Sequence, residues 1–190
     1  MTDTIDLIRC GWAGTDPLYV RYHDEEWGKP CRDDADLFER LMLEGFQAGL
    51  SWITILRKRE SFRSAFADWD AETIANFGDE DIARLMADPG IIRNRLKVNG
   101  AVRNARAYLR VREELGSFSD YLWDFVGAEP IVNRPTSLAD VPTTTPEAIA
   151  MSKALRKRDF TFVGPTICYA FMQSVGMVDD HVTDCFCAQP

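Results

Sequence analysis

The chain has 190 residues, of which 46% are apolar and 27% are charged, and its formal net charge is −8. This length and composition predict a single globular domain, residues 1–190, and no apolar run approaches the ~20 residues that a membrane-spanning helix needs. The N-terminus lacks the basic start and apolar run of a secretory signal. We therefore expect a cytoplasmic protein with no membrane partner, in which the cysteines are reduced thiols or metal ligands.

Acidic and basic residues are unevenly distributed along the chain. Residues 93–112 hold seven Lys or Arg and no Asp or Glu, and a second basic cluster follows at 153–158. The net charge alone argues against a nucleic-acid partner. However, charges act strongly only within about a Debye length, roughly 10 Å, so one basic face can still dock on phosphates. An ordinary solvated helix surface is the alternative interpretation.

Helical periodicity extends over most of the chain, and convincing alternating strands are missing. The fold class is therefore predicted to be all-α. Residues 128–145, with three prolines and a run of threonines, form the one predicted linker. The predicted helices begin near Asp33, Ser51, residue 71, Asp79, Ile91, Ser119, Thr145 and Pro165.

Two predicted helices within residues 79–112 are joined by Pro89-Gly90, an arrangement typical of a helix-hairpin-helix. In that motif the backbone N–H groups after the turn bind a DNA phosphate. The usual hairpin has two glycines around an apolar residue, whereas Ile92 stands here at the second position. An ordinary helical hairpin is the alternative. The predicted DNA-contacting residues are Gly90, Ile91, Ile92, Arg93, Arg95 and Lys97.

Glu44 interrupts an apolar helix face. Leu37, Leu41, Glu44 and Ala48 are spaced 4, 3 and 4 residues apart, which places a carboxylate among apolar side chains. A buried ionised group is costly unless it is paired or used, so Glu44 is a candidate functional residue. The alternative is a glutamate at the rim, bonded to a neighbouring helix N-terminus.

Aromatic residues are concentrated between residues 10 and 27. Trp12, Tyr19, Tyr22 and Trp27 lie in this stretch, which lacks helical periodicity, and we interpret it as an irregular loop. Together with Trp52, these rings are predicted to form the wall of a pocket for a flat, electron-poor guest, especially a cation. For any single ring, ordinary core packing is the alternative.

Both histidines of the chain are spaced from a cysteine in a way that suits a metal. The pairs are Cys10-x12-His23 and His181-x3-Cys185, and Cys187 is a competing fourth ligand. Two thiolates and two imidazoles form a natural tetrahedral zinc set, and a helix would place His181 and Cys185 on one face. The peptidase and deaminase zinc signatures are absent, so a four-ligand site would be structural.

The chain resembles the DNA-3-methyladenine glycosylase I family, bacterial base-excision enzymes of the helix-hairpin-helix superfamily. The resemblance covers most of the chain. It is carried by RCGW (9–12), DPLYVRYHDEEWG (16–28), LFERLMLEGFQAGLSWITILRKRE (37–60), GIIRNRLKV (90–98), NARAYL (104–109), SKALRKRDFTFVGPTICYAFMQSVGMVDDHV (152–182) and Cys185.

This resemblance implies a monomeric hydrolase that removes 3-methyladenine from alkylated double-stranded DNA as the free base and leaves an abasic site, without lyase activity. It implies a structural zinc held by Cys10, His23, His181 and Cys185. The implied base pocket is lined by Trp12, Tyr19, Tyr22, Trp27, Glu44 and Trp52.

Roles for individual residues follow from this resemblance. We expect Glu44 to hydrogen-bond the amino edge of the base and balance its charge, Tyr22 to assist at that edge, and Trp52 to stack. Asp179 occupies the position of the catalytic aspartate in the V-D-x-H segment of superfamily relatives. It is therefore a candidate catalytic residue, or else it positions His181.

Two sub-lobes are expected within the domain. Residues 1–59 and 166–190 would form a zinc-bearing pocket lobe, and residues 60–165 a DNA-docking lobe. Two other functions stay open. A non-catalytic DNA-binding module with a structural zinc would need neither Glu44 nor the ring cluster, and a zinc hydrolase acting on a small substrate would need an open coordination position.

Overall fold

Helices dominate the computed structural model, which describes residues 7–188, so the ends of the predicted domain lie outside the described residues. The mostly helical architecture agrees with the all-α prediction. None of the helices in this range is long and apolar enough to cross a membrane. The elements are α1 (Pro17–Glu25), α2 (Asp34–Gln47), α3 (Trp52–Ala65), α4 (Ala71–Ala75), α5 (Asp79–Ala87), α6 (Arg95–Leu115), α7 (Phe118–Trp123), β1 (Ile131–Val132), α8 (Pro146–Lys157), α9 (Pro165–Ser174) and β2 (Val178–Asp179).

Capping residues fix many of the helix ends as the sequence predicts. The Asp33 side chain accepts hydrogen bonds from the first N–H groups of α2, and Thr145 with Pro146 begins α8. Gly176 follows the end of α9 with φ 71°, and a Cβ there would lie 2.2 Å from the carbonyl carbon of Lys29. Only glycine fits this close approach of two backbones.

Three predictions about the helices were wrong: one helix was missed and the starts of two others were misplaced. Residues 10–27 are not an irregular loop, because Asp16 caps α1 and Pro17 occupies its first position. The second hairpin helix, α6, begins at Arg95 with Asn94 as its cap, four residues after Ile91, which lies buried in the preceding turn. α7 is capped by Ser117 rather than Ser119.

The central helix is α2, which packs against α3, α6, α7 and α9. Helices α4 and α5 lie on α6, and α8 lies on α9. One cluster of buried apolar side chains runs from α2 to β2 and crosses the predicted lobe boundary. The division into 1–59 plus 166–190 and 60–165 therefore stays a prediction.

A parallel strand pair ties the predicted linker to the chain's C-terminal part. Ile131 pairs with Val178 and Val132 with Asp179, the two residues of each strand. A second apolar cluster, of Cys10, Tyr22, Trp27, Leu56 and Cys185, lies where the N- and C-terminal segments meet. These contacts bring the segments around Cys10 and Cys185 next to α1 and set the positions of the candidate functional side chains.

Candidate functional site

A cavity of about 420 Å³ opens between α1, α2, α9 and the start of α3. Its size and mixture of apolar and polar walls suit a small-molecule or base-sized guest. All six residues of the predicted base pocket lie around it: Trp12, Tyr19, Tyr22, Trp27, Glu44 and Trp52. The sequence therefore located one wall of a single cavity from residues that are distant along the chain.

The aromatic residues form a connected wall. Trp12 meets Trp27 edge-on with ring centroids 5.0 Å apart and lies 5.1 Å from Tyr19. Tyr22 lies 5.4 Å from Trp52, the first residue of α3. Because Tyr19 and Tyr22 are three residues apart on α1, the helix presents both to the same side. Nine helical residues were too few, and too polar, for the periodicity of α1 to be recognised.

Glu44 is the one carboxylic acid of α2 on the cavity wall. Its side chain is only 3% exposed, and it makes no hydrogen bond or ion pair with any residue between 7 and 188. Burial raises the pKa of Glu44 from 4.5 to about 8, and the positive charge of Arg40 offsets this only in part. While the cavity holds no cationic guest, the Glu44 carboxyl is therefore protonated at neutral pH, and a cationic guest would favour its ionised form.

Two hydrogen-bond donors accompany Glu44 at the cavity. Burial raises the pKa of Tyr22 well above its usual value, with the negative charge of Glu44 adding to the effect, so the hydroxyl stays protonated. The indole Nε1 of Trp52 is buried and has no acceptor among the described residues. A buried donor without an acceptor is unfavourable, which is typical of a site that a ligand completes.

Two histidines next to the cavity share one arrangement. The Nδ1 atom of His23 lies 2.8 Å from Asp24, which Arg9 binds at 2.7 Å. The Nδ1 atom of His181 lies 2.7 Å from Asp179. A carboxylate that accepts from Nδ1–H favours the neutral tautomer in which Nε2 carries a lone pair. That lone pair can bind a metal, as is usual for metal-binding histidines.

The Nε2 atoms point into a cluster of thiols. One ligand atom from each of His23, His181, Cys185 and Cys187 lies within 4.8 Å of the other three. Cys185 Sγ is 3.4 Å from His23 Nε2, whereas His181 Nε2 is buried without a partner among residues 7–188. Cys10 is buried beside this group, and its backbone N–H lies 3.3 Å from His23 Nε2, but its thiol is not one of the four.

The backbone around His181 does not form the helix that would place His181 and Cys185 on one face. Residues 181–185 form a turn, in which Cys185 N–H donates to the carbonyl of Val182 at 2.8 Å. This turn, rather than a helix face, brings His181 and Cys185 together. On the other side, a Cβ on Gly28 would lie 2.6 Å from the imidazole Cε1 of His181, so glycine is required there.

Asp179 does not line the cavity. Its carboxylate binds His181 and also Arg134, at 2.6 Å. Burial opposes its ionisation, but hydrogen bonds from His181 and Arg134 outweigh that effect and hold the pKa of Asp179 below its usual value. Its neighbour Asp180, 1% exposed, does line the cavity. Asp180, rather than Asp179, is thus the carboxylate of this segment that lines the cavity.

The hairpin residues divide into exposed and buried groups. Arg93 and Arg95 are exposed, as DNA contacts require, while Ile91 is buried. Lys97 is only 8% exposed, and its ammonium donates to the carbonyls of Phe46 and Ala48 at the end of α2. The prediction that Lys97 contacts DNA does not fit this placement, because its charge is already used inside the protein.

Several cavity residues were missed by the sequence analysis. Half of them come from the predicted linker, which folds over the cavity behind the 3₁₀ turn Leu138–Asp140. No periodicity marks such residues, because pairing of β1 with β2 brings them to the site. The missed residues are Gln47, Leu138, Val141, Pro142, Thr143, Ala170, Gln173 and Asp180.

Comparison with known proteins identifies the family. The family model for methyladenine glycosylase matches residues 12–188. The chain belongs to the methyladenine glycosylase family. It is 51% identical over 181 residues to DNA-3-methyladenine glycosylase 1 of Escherichia coli K12, covering 95% of this chain and 97% of that protein. It is 52% identical over 179 residues to DNA-3-methyladenine glycosylase of Haemophilus influenzae Rd, covering 94% and 97%.

A solved structure supports the same family. The Staphylococcus aureus 3-methyladenine DNA glycosylase I, solved to explain 3-methyladenine recognition, superposes with a TM-score of 0.92 at 38% identity, covering 96% of each chain. Family membership confirms the expected activity, a hydrolase that cleaves the N-glycosidic bond of a methylated adenine in DNA. The alternatives of a non-catalytic DNA-binding module and of a zinc hydrolase are not supported.

Proposed function

We propose that this protein flips 3-methyladenine out of alkylated DNA into the ring-lined cavity, hydrolyses its N-glycosidic bond and releases the free base, without cutting the DNA strand. The observation that carries this proposal is the buried Glu44 carboxyl, which faces an aromatic cavity without a protein partner. A base inside a duplex is out of reach of such a cavity, so flipping is required, at a cost of a few kcal/mol in stacking and pairing.

Selectivity follows from the charge of the damaged base. N3 methylation makes the purine a cation, which is both a better leaving group and a better partner for aromatic faces. Glu44 then ionises beside the cation and accepts from its amino edge, Tyr22 donates at the same edge, and Trp52 stacks. Neutral adenine does not favour the ionisation of Glu44, so only the damaged base gains the attraction between a carboxylate and a cation.

The activity is tested with the purified protein and methylated DNA. We expect free 3-methyladenine in the supernatant and intact strands containing abasic sites, which break only after alkali treatment. Failure to release the base would refute the enzyme proposal. Strand breaks before alkali would instead refute the proposal that the enzyme has no lyase activity.

A structural zinc is also proposed at the cluster next to the cavity. The residues fit the metal: two imidazoles held through Nδ1, a buried and unpartnered His181 Nε2, and thiols at its side. His23, His181 and Cys185 supply three ligands, and the fourth is Cys10 or Cys187. The metal would hold the N- and C-terminal segments together and so stabilise the fold.

Metal content separates these ligands. We expect about one zinc per chain in the wild type and none in His181→Ala. Cys10→Ser and Cys187→Ser are matched variants: the one that loses zinc carries the fourth ligand, and retention of zinc by His181→Ala would contradict the site.

DNA docking by a helix-hairpin-helix is proposed for the turn between α5 and α6. The N–H groups of Ile91, Ile92 and Arg93 donate to no described residue, so they can bind a phosphate. Gly90 is required where the turn approaches α3, since a Cβ would lie 2.9 Å from the Cβ of Ser61. Cytoplasmic location and a monomeric state stay predictions.

Asp179 is proposed to position His181 rather than to act on the base. Its carboxylate is held by His181 and Arg134, outside the set of residues that line the cavity. It therefore has no direct path to the glycosidic bond of a bound base.

A further inference from the structure

Gln173, in the last turn of α9, lines the same cavity as Glu44. Its Nε2 donates to Asp180 at 2.7 Å. Asp180 is 1% exposed and also accepts from the hydroxyl of Tyr169 at 2.6 Å and the amide of Asn133 at 2.7 Å. Asp180 thus lies at the centre of a buried network in which both carboxylate oxygens are acceptors.

This network fixes the orientation of the Gln173 amide. Asp180 accepts from the Tyr169 hydroxyl, the Asn133 amide and the Gln173 amide, so the NH2 group of Gln173 faces Asp180 and its carbonyl oxygen faces away. The reverse orientation would set an amide oxygen against a carboxylate oxygen. The oxygen, Oε1, accepts no hydrogen bond from any residue between 7 and 188, and it is not a buried atom lacking a partner. Oε1 is therefore an accessible acceptor without a protein partner among the described residues, on a side chain that lines the cavity.

We propose that Gln173 Oε1 is a second acceptor for the flipped base, alongside Glu44, and that Asp180 is the positioning residue that holds it in this orientation. This inference rests on the proposed function, in which the amino edge of the base turns toward Glu44. It goes beyond the role of Glu44 because it assigns a neutral group whose effect does not depend on the charge of the base.

The two acceptors together read the group at position 6 of a purine. An adenine-type base has an amino group there with two N–H bonds, which two acceptors can satisfy. A guanine- or hypoxanthine-type base has a carbonyl oxygen instead, whose lone pairs would face the carbonyl oxygen of Gln173 and find no donor there. Sites built to hydrogen-bond a donor reject analogues that lack it, because buried polar groups are then left unpaired.

The test compares two free bases that differ in the group at position 6, 3-methyladenine and 3-methylhypoxanthine, by titration calorimetry. Gln173→Met keeps the side-chain length and removes the acceptor. We expect it to bind 3-methyladenine about tenfold more weakly, the equivalent of about 1.4 kcal/mol, with little change for 3-methylhypoxanthine. Glu60→Ala, on the exposed surface of α3, is the control and should leave the ratio of affinities unchanged.

Asp180→Asn probes the positioning role separately. The new amide can donate to Gln173 Oε1, so the Gln173 amide turns over and presents NH2 to the cavity. We expect the ratio of affinities to move further toward 3-methylhypoxanthine than in Gln173→Met. The double variant that combines Asp180→Asn with Gln173→Met should not regain the selectivity of the wild type.

The outcomes are distinguishable from failure of the proposed function. If the wild type does not bind 3-methyladenine, the proposed function fails. If the wild type binds it and folded Gln173→Met keeps the wild-type ratio of affinities, the second-acceptor proposal is overturned. Thermal unfolding shows whether Asp180→Asn, a change at a buried position, still folds. If Asp180→Asn fails to fold, Gln173→Met still decides the test, because residue 173 is only partly buried.

Discussion

Glu44→Gln keeps the size of the side chain and removes its ionisation, so it isolates the effect of a buried carboxyl group. Burial raises the pKa of Glu44 from 4.5 to about 8 in the folded protein. The folded state therefore binds this proton more tightly than the unfolded state. The contribution of Glu44 to stability is fully present below pH 4.5 and is lost as the pH rises toward 8.

The magnitude follows from the two pKa values. As the pH rises from 6, the unfolding free energy of the wild type falls by about 1.4 kcal/mol per pH unit until the pH reaches about 8, the folded pKa of Glu44. Above that pH the loss stops, so the total between pH 6 and pH 9 is about 3 kcal/mol. The glutamine has no such loss. We therefore expect Glu44→Gln to gain about 3 kcal/mol in unfolding free energy relative to wild type as the pH rises from 6 to 9.

Urea unfolding at a series of pH values measures this difference. All other titrating groups are common to both proteins, so they cancel in the comparison. Parallel stability curves for the two proteins across this range would refute the argument that Glu44 is a desolvated, unpaired acid.

Three further variants test other parts of the structure. Arg93→Ala with Arg95→Ala should weaken DNA binding and lower the salt slope by about one per phosphate contact removed, without changing affinity for the free base; an unchanged slope in a salt titration would contradict the docking surface. Lys97→Met should lose about 2–4 kcal/mol in urea unfolding, since it leaves the carbonyls of Phe46 and Ala48 unpaired; a loss confined to DNA affinity would restore the predicted DNA contact. Asp179→Asn should excise 3-methyladenine at a near-normal single-turnover rate, and a loss of a thousandfold or more with intact folding would make Asp179 catalytic.

Several cavity residues could be predicted from the sequence because they violate a local rule. Glu44 is a charge within an apolar stripe, and the aromatic residues near Trp12 exceed what a short segment needs for packing. The two histidines pair with cysteines at metal-ligand spacing, which is unusual enough to notice. Such violations are visible without any knowledge of the fold.

The sequence could not locate residues whose position depends on long-range packing. Gln173 and Asp180 join the cavity because α9 and β2 cross behind it, and Leu138 joins because β1 pairs with β2. Lys97 shows the opposite error. It belongs to a basic run, yet its ammonium turns inward, since the carbonyls at the end of α2 are close enough to bind it.

The start of α6 was misplaced for a related reason. Ile91 fits the spacing of the apolar stripe of that helix, but it belongs to the turn and is buried there against the core. Burial and helical spacing coincide at this position, and only the Asn94 cap, which accepts from the N–H groups of Leu96 and Lys97, marks the true start.

In the proposed function, a buried acid in an aromatic cavity recognises the methylated base. Single-turnover release of 3-methyladenine from methylated DNA by Glu44→Ala tests it most directly, with the exposed Glu60→Ala as the matched control. We expect a loss of at least a hundredfold in Glu44→Ala, about 3 kcal/mol of transition-state stabilisation, and a wild-type rate in Glu60→Ala. Equal rates for the two folded variants would contradict it.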